Sequence, residues 1–139
     1  MIVADTNLLV YLYVQGQRTA QAEAVLVRDP TWAAPLLWRS EFRNTLAGLV
    51  RAREIDFDDA VRISHDAERR MGGAEFSVAT QLVLQLAIRS RCSAYDCEFI
   101  ALAQDLQVPF VTVDRQVLKA FPSTAMSPAD FAARRLAAE

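Results

Sequence analysis

Three short apolar runs, at 2–4, 32–34 and 110–113, are set far apart by stretches whose apolar residues recur at helical spacing, and no other feature narrows the possible folds so much. Strands this brief, apolar on both faces and separated by helices, pair in parallel and need helices to cover the sheet. A weaker fourth strand is expected at 124–126. Helices are expected at 20–27, 36–53, 57–70, 78–89, 95–106 and 129–136, and Gly72-Gly73 is the strongest break between them. The class is α/β, rich in helix. No linker, repeat or low-complexity stretch divides the 139 residues, so one domain spanning 1–139 is expected.

Composition removes whole chemistries. The single histidine, His65, has no Gly-x-Ser-x-Gly nucleophile motif to serve, and it cannot build a histidine-rich zinc site. Cys92 and Cys97 match neither Cys-x-x-Cys spacing nor a disulfide framework, and read as ordinary thiols in a reducing cytosol. Neither a P-loop nor a dinucleotide-binding glycine fingerprint is present. The opening Met1-Ile2-Val3-Ala4-Asp5 lacks a basic leader and no apolar run reaches membrane length, so a cytoplasmic location away from membranes is expected. With 15 Lys plus Arg against 17 Asp plus Glu, the chain is no basic nucleic-acid coat protein. A nuclease whose acids are concentrated in one place remains compatible with that balance.

The acids are placed unevenly. Ile2-Val3-Ala4-Asp5 and Phe110-Val111-Thr112-Val113-Asp114 both run apolar and stop on an aspartate, which puts Asp5 and Asp114 at the carboxyl edge of a parallel sheet. Either could also cap the following helix. Glu41 and Asp96 lie on or beside the apolar stripes of their helices, where a carboxylate needs a partner. Ser93-x-x-Asp96 approximates a capping box, and Arg39 or Arg43 are lesser candidates to pair with Glu41. The cluster at Asp56, Asp58 and Asp59 reads as helix-start chemistry. Four convergent carboxylates would repel one another unless a cation neutralised them. An all-oxygen ligand set selects a hard divalent ion, Mg²⁺ or Mn²⁺, and with it phosphate or phosphodiester chemistry.

Four segments, taken in order, resemble the PIN-domain nucleases and, among them, the VapC toxins of bacterial toxin–antitoxin pairs. They are Asp5-Thr6-Asn7-Leu8-Leu9-Val10, the Arg39-Ser40-Glu41-Phe42-Arg43-Asn44 helix, Ser93-Ala94-Tyr95-Asp96 with Phe99-Ile100-Ala101-Leu102-Ala103, and Thr112-Val113-Asp114. The resemblance covers nearly the whole chain. It implies a single PIN-like α/β/α sandwich around a short parallel sheet, with Asp5, Glu41, Asp96 and Asp114 forming an acidic pocket for Mg²⁺ or Mn²⁺. Asp5 and Asp96 would be direct ligands, and Asp114 would complete or support the site. Glu41 would bind metal or orient the attacking water, while Asn7 and Thr112 would hold the pocket by hydrogen bonding. The implied activity is endoribonuclease action by metal-activated water, leaving a 5′-phosphate and a 3′-hydroxyl. Homodimerisation and inhibition by a small VapB-like antitoxin, seated in a groove near the site, are implied as well.

Glu98 departs from the small or apolar residue usual at its place and reads as a solvated helix position. Arg39, Arg43 and Arg115 flank the acids and are candidates to contact RNA phosphate. A phosphate-receiving signalling domain would want paired acids after the first strand, and a haloacid-dehalogenase-like phosphatase would want Asp-x-Asp where this chain has Asp5-Thr6-Asn7. A catalytically inactive PIN-like protein-binding module is the alternative; the presence of all four acids weighs against it. Without those four, the rest of the chain carries a net positive charge.

Overall fold

The computed structural model describes residues 1–134. Its sheet is built from β1 (Ile2–Ala4), β2 (Trp32–Pro35), β3 (Glu75–Phe76), β4 (Phe110–Val111) and β5 (Ala125–Met126). The strands lie in the order β3-β2-β1-β4-β5, and every pairing is parallel. β1 is central: Val3 stands opposite Ala33 on one side and Phe110 on the other. Every residue of β1 and β2 is buried, as expected for a parallel sheet covered on both faces.

Eight helices flank the sheet: α1 (Thr6–Tyr13), α2 (Thr19–Arg28), α3 (Trp38–Arg51), α4 (Phe57–Met71), α5 (Thr80–Arg89), α6 (Ala94–Leu106), α7 (Arg115–Ala120) and α8 (Pro128–Ala133). α6 lies across β1, β2 and β4 and packs along α5, while α1 joins α2 on one side and α3 and α4 on the other. Local chemistry sets several helix starts. The Asp56 side chain accepts the Asp59 N–H at 2.7 Å, and the following acids complement the amino end of α4 as read from sequence. Ser93 and Asp96 form the expected capping box on α6. Ser127 caps α8, whose first residue is Pro128, where a missing N–H costs nothing.

Some elements differ from the sequence reading. α1 and α7 were not expected from sequence: at eight and six residues they are too short to show a helical period of their own beside the strands they follow. β4 is shorter than 110–113, because Thr112 and Val113 carry the chain from sheet to helix cap. β3 has only two residues and follows the turn at Gly72-Gly73, where Gly73 takes a φ of 83° that a side chain would strain. α8 ends at Ala133, and the expected end at Leu136 lies outside the described residues. Among the described residues no helix is long and apolar enough to cross a membrane.

Candidate metal centre

The strand order reverses between β1 and β4, since β2 and β3 lie on one side of β1, and β4 and β5 on the other. Open parallel sheets bind ligands just beyond the carboxyl ends of strands at such a switch point. Here β1 delivers Asp5 and β4 delivers Thr112 and Asp114, and the Asp5 N–H is held by the Val111 carbonyl at 3.1 Å. Glu41 from α3 and Asp96 from α6 complete the ring. All four acids, with Asn7 and Thr112, line one pocket of about 220 Å³. Among the described residues no Lys, Arg or His lines it.

Each acid sits at the amino end of a helix. Asp5 precedes α1, Glu41 and Asp96 lie in the first turns of α3 and α6, and Asp114 caps α7. The positive ends of these helix dipoles converge on the pocket and offset part of the repulsion among its carboxylates. Capping and pocket duties, competing readings in sequence, coexist here. Asp114 Oδ1 accepts N–H bonds from Gln116 and Val117 at 2.9 and 3.1 Å, and Asp96 reaches back to the Ser93 N–H. The Asp5 carboxylate takes the Asn7 backbone N–H and the Thr112 hydroxyl while lining the pocket.

Two threonines position the deepest acids. Thr112, fully buried, donates to Asp5 Oδ2 at 2.5 Å and accepts the Asp114 N–H at 3.1 Å, so its proton is committed to Asp5. Thr6 donates to Glu41 Oε1 at 2.9 Å and so braces α3 from α1. Thr6 escaped the sequence reading, although its place between Asp5 and Asn7 was the available signal. Asn44, one turn beyond Glu41, also lines the pocket and was likewise missed.

Burial raises the Asp5 carboxyl above the ordinary aspartate range; the Thr112 hydroxyl and the Asn7 backbone N–H pull it partly back, and the charges of Asp114 and Asp96 push it further up. Glu41 is raised in the same way, with burial the larger cause, Thr6 opposing it, and Asp5, Asp96 and Glu98 adding to it. Glu98 is itself half-buried against a recess lined by Leu36, Phe76 and Val83, and burial lifts its carboxyl. It is not the solvated position its sequence context indicated.

Arg39 and Arg43 do not reach the acids. Arg39 binds both carboxylate oxygens of Glu75 at 2.7 Å, and both arginines lie near Glu68, at 3.7 and 3.3 Å. They face the α4 and β3 side of α3, because Glu41 must point to the opposite, pocket side. Of the three arginines singled out from sequence, only Arg115 stays beside the pocket.

The donor set fits a hard divalent cation. It is all carboxylate, hydroxyl and amide oxygen, with Asp5 buried and lacking any ion pair among the described residues. Mg²⁺ in particular is commonly held by one or two carboxylates, with water and substrate filling its other positions. Among the described residues no three His, Cys, Asp or Glu side chains are drawn together closely enough to hold a metal ion by themselves.

The structure is thus a parallel α/β/α sandwich with an all-oxygen acidic pocket at its switch point. The chain belongs to the PIN domain family, whose model matches residues 2–122. PIN domains are in general nucleases, and they generally use divalent metals. The fold is similar to that of PAE2754 from Pyrobaculum aerophilum, with 20% identity, 96% of this chain and 90% of that one covered, and a TM-score of 0.74. It is also similar to FitAcB from Neisseria gonorrhoeae, with 16% identity, coverage of 93% and 99%, and a TM-score of 0.74. Comparison with curated protein sequences gives no significant match.

Proposed function

We propose that this protein is an Mg²⁺- or Mn²⁺-dependent endoribonuclease acting as the VapC-type toxin of a toxin–antitoxin pair. The observation that carries the reading is the convergence of Asp5, Glu41, Asp96 and Asp114 on one cation-free pocket at the switch point. Membership of the PIN family supports nuclease chemistry in that pocket. Asp5 and Asp96 are the proposed direct ligands, with Asp114 completing or supporting the set. When bound, the ion supplies activation of water and neutralisation of charge on the phosphoryl oxygen.

The chain's own groups do the rest. Thr112 fixes the rotamer of Asp5, and Thr6 occupies Glu41 Oε1, which leaves Oε2 free to orient the attacking water and receive its proton. The raised Glu41 carboxyl suits that role, since a base works best when its pKa approaches the operating pH. Asn7 offers its amide to the substrate side of the pocket. The proposed partners are RNA, a small VapB-like antitoxin and a second copy of the chain.

The test is cleavage of RNA with Mg²⁺ or Mn²⁺ by the wild type, Asp5→Asn and Asp96→Asn. Wild-type cleavage that both substitutions abolish is expected, and equal activity in all three overturns the reading. Growth arrest on expression, relieved by Asp5→Asn, tests the toxin role.

A further inference from the structure

An acidic pocket holding a divalent ion still needs cations beside it to take the phosphates that flank the scissile one. Among the described residues no Lys, Arg or His lines the pocket, and several arginines of the chain are committed elsewhere. Arg39 and Arg43 are engaged with Glu75 and Glu68, Arg62 with Asp59, Arg69 with Asp66, and Arg70 with the Tyr13 hydroxyl. Arg91 and Arg115 differ: both are exposed, and neither has an ion pair, side-chain hydrogen bond or aromatic partner among the described residues. Arg115 directly follows Asp114. Arg91 belongs to the turn before α6, which Gln116 of α7 ties down by donating from Nε2 to the Arg91 carbonyl at 3.0 Å. At the start of α6, Tyr95 is 64% exposed and immediately precedes Asp96. Arg115 and Tyr95 are therefore each the chain neighbour of an acid that lines the pocket, and the Gln116 bond ties the turn carrying Arg91 to α7, on backbone anchored by a cap and a cross-link.

Resting on the nuclease reading above, we infer that the Arg91–Tyr95–Arg115 rim is the docking edge for single-stranded RNA. Arg91 and Arg115 take phosphates on either side of the scissile one, and Tyr95 stacks a base whose face only a single strand presents. Arginine suits this work because its planar fork matches phosphate oxygens.

The experiment measures binding of a fluorescein-labelled single-stranded RNA of about 12 nucleotides by anisotropy in EDTA, between about 50 and 200 mM NaCl, alongside cleavage in Mg²⁺. Each phosphate contact to a single strand contributes about 0.7 to the slope of log Kd against log salt, so R91Q/R115Q should flatten the slope by about 1.4. Y95A should weaken binding roughly tenfold with the slope unchanged, and Y95F should restore it. An RNA duplex of equal length should be indifferent to Y95A. In Mg²⁺ the same variants should raise KM while kcat is kept, and R62Q, on α4, should behave as wild type. If the wild type cleaves RNA but R91Q/R115Q matches it in slope and KM, the docking edge is wrong and the nuclease reading stands. If the wild type neither binds nor cleaves RNA, both fall.

Discussion

The hydroxyl of Thr112 donates its one proton to Asp5 Oδ2 at 2.5 Å, an oxygen that as carboxylate can only accept, while the hydroxyl oxygen itself receives the Asp114 N–H. A buried threonine thus supports the carboxylate at the end of the central strand. That support is partial: Asp5 stays above its ordinary value of 3.8 because burial outweighs the bond.

The sign of the stability effect follows. The folded chain binds the Asp5 proton more tightly than the unfolded chain, so stability falls as pH rises from 3.8 to the raised native value and stays low above it. At neutral pH in EDTA, Asp5→Asn should therefore melt higher than wild type. Millimolar Mg²⁺ should raise the wild-type midpoint and leave Asp5→Asn nearly unmoved, as differential scanning fluorimetry would show.

Thr6→Val removes the donor to Glu41 Oε1 while keeping the buried shape. Partners that orient a metal-site group typically contribute 10–100-fold to affinity or activity, so the Mg²⁺ concentration for half-maximal cleavage should rise by roughly that factor. The pH at which cleavage begins should also move upward, because Thr6 is what lowers the Glu41 carboxyl. A pH–rate profile of both proteins checks this.

Arg39 belongs to the scaffold. Glu75 accepts from Arg39 and from the Trp38 indole, and the Arg39 bond, its largest cause, holds the Glu75 carboxyl below the ordinary glutamate range. A lowered native value gives stability that is complete above the ordinary pKa and is lost as pH falls through the native one. The gap in urea midpoint between wild type and Glu75→Gln should accordingly be widest near neutrality and close on acidification. Arg39→Gln should leave the cleavage rate unchanged.

Phe42→Ala should cost about 3–5 kcal/mol in urea unfolding. The ring is buried and meets Trp38 edge-on at 5.5 Å, so its loss opens a cavity beneath the helix that carries Glu41.

Much of this was legible in the sequence because burial leaves a compositional trace. β1, β2 and the start of β4 are continuous apolar runs, and the amphipathic α3, α4, α5 and α6 fall within two residues or so of their expected bounds. Asp5 and Asp114 stood out as aspartates that end apolar runs, and Glu41 and Asp96 as acids on or beside the apolar stripes of their helices. What was hidden is relational. β3 becomes a strand only by pairing with β2, and two residues carry no period of their own. Thr6 gains its role from a residue 35 positions away, and Arg39 is drawn off the pocket by Glu75, 36 positions away. No local pattern encodes either pairing.

The double duty of Asp114 bears on how such a domain would age under mutation. Asparagine caps a helix about as well as aspartate, so the bonds to Gln116 and Val117 survive exchange of a single carboxylate oxygen for nitrogen. One base change in the codon silences a charge in the pocket and leaves the architecture standing. Descendants that keep the fold with one charge fewer in the pocket lie a single step away.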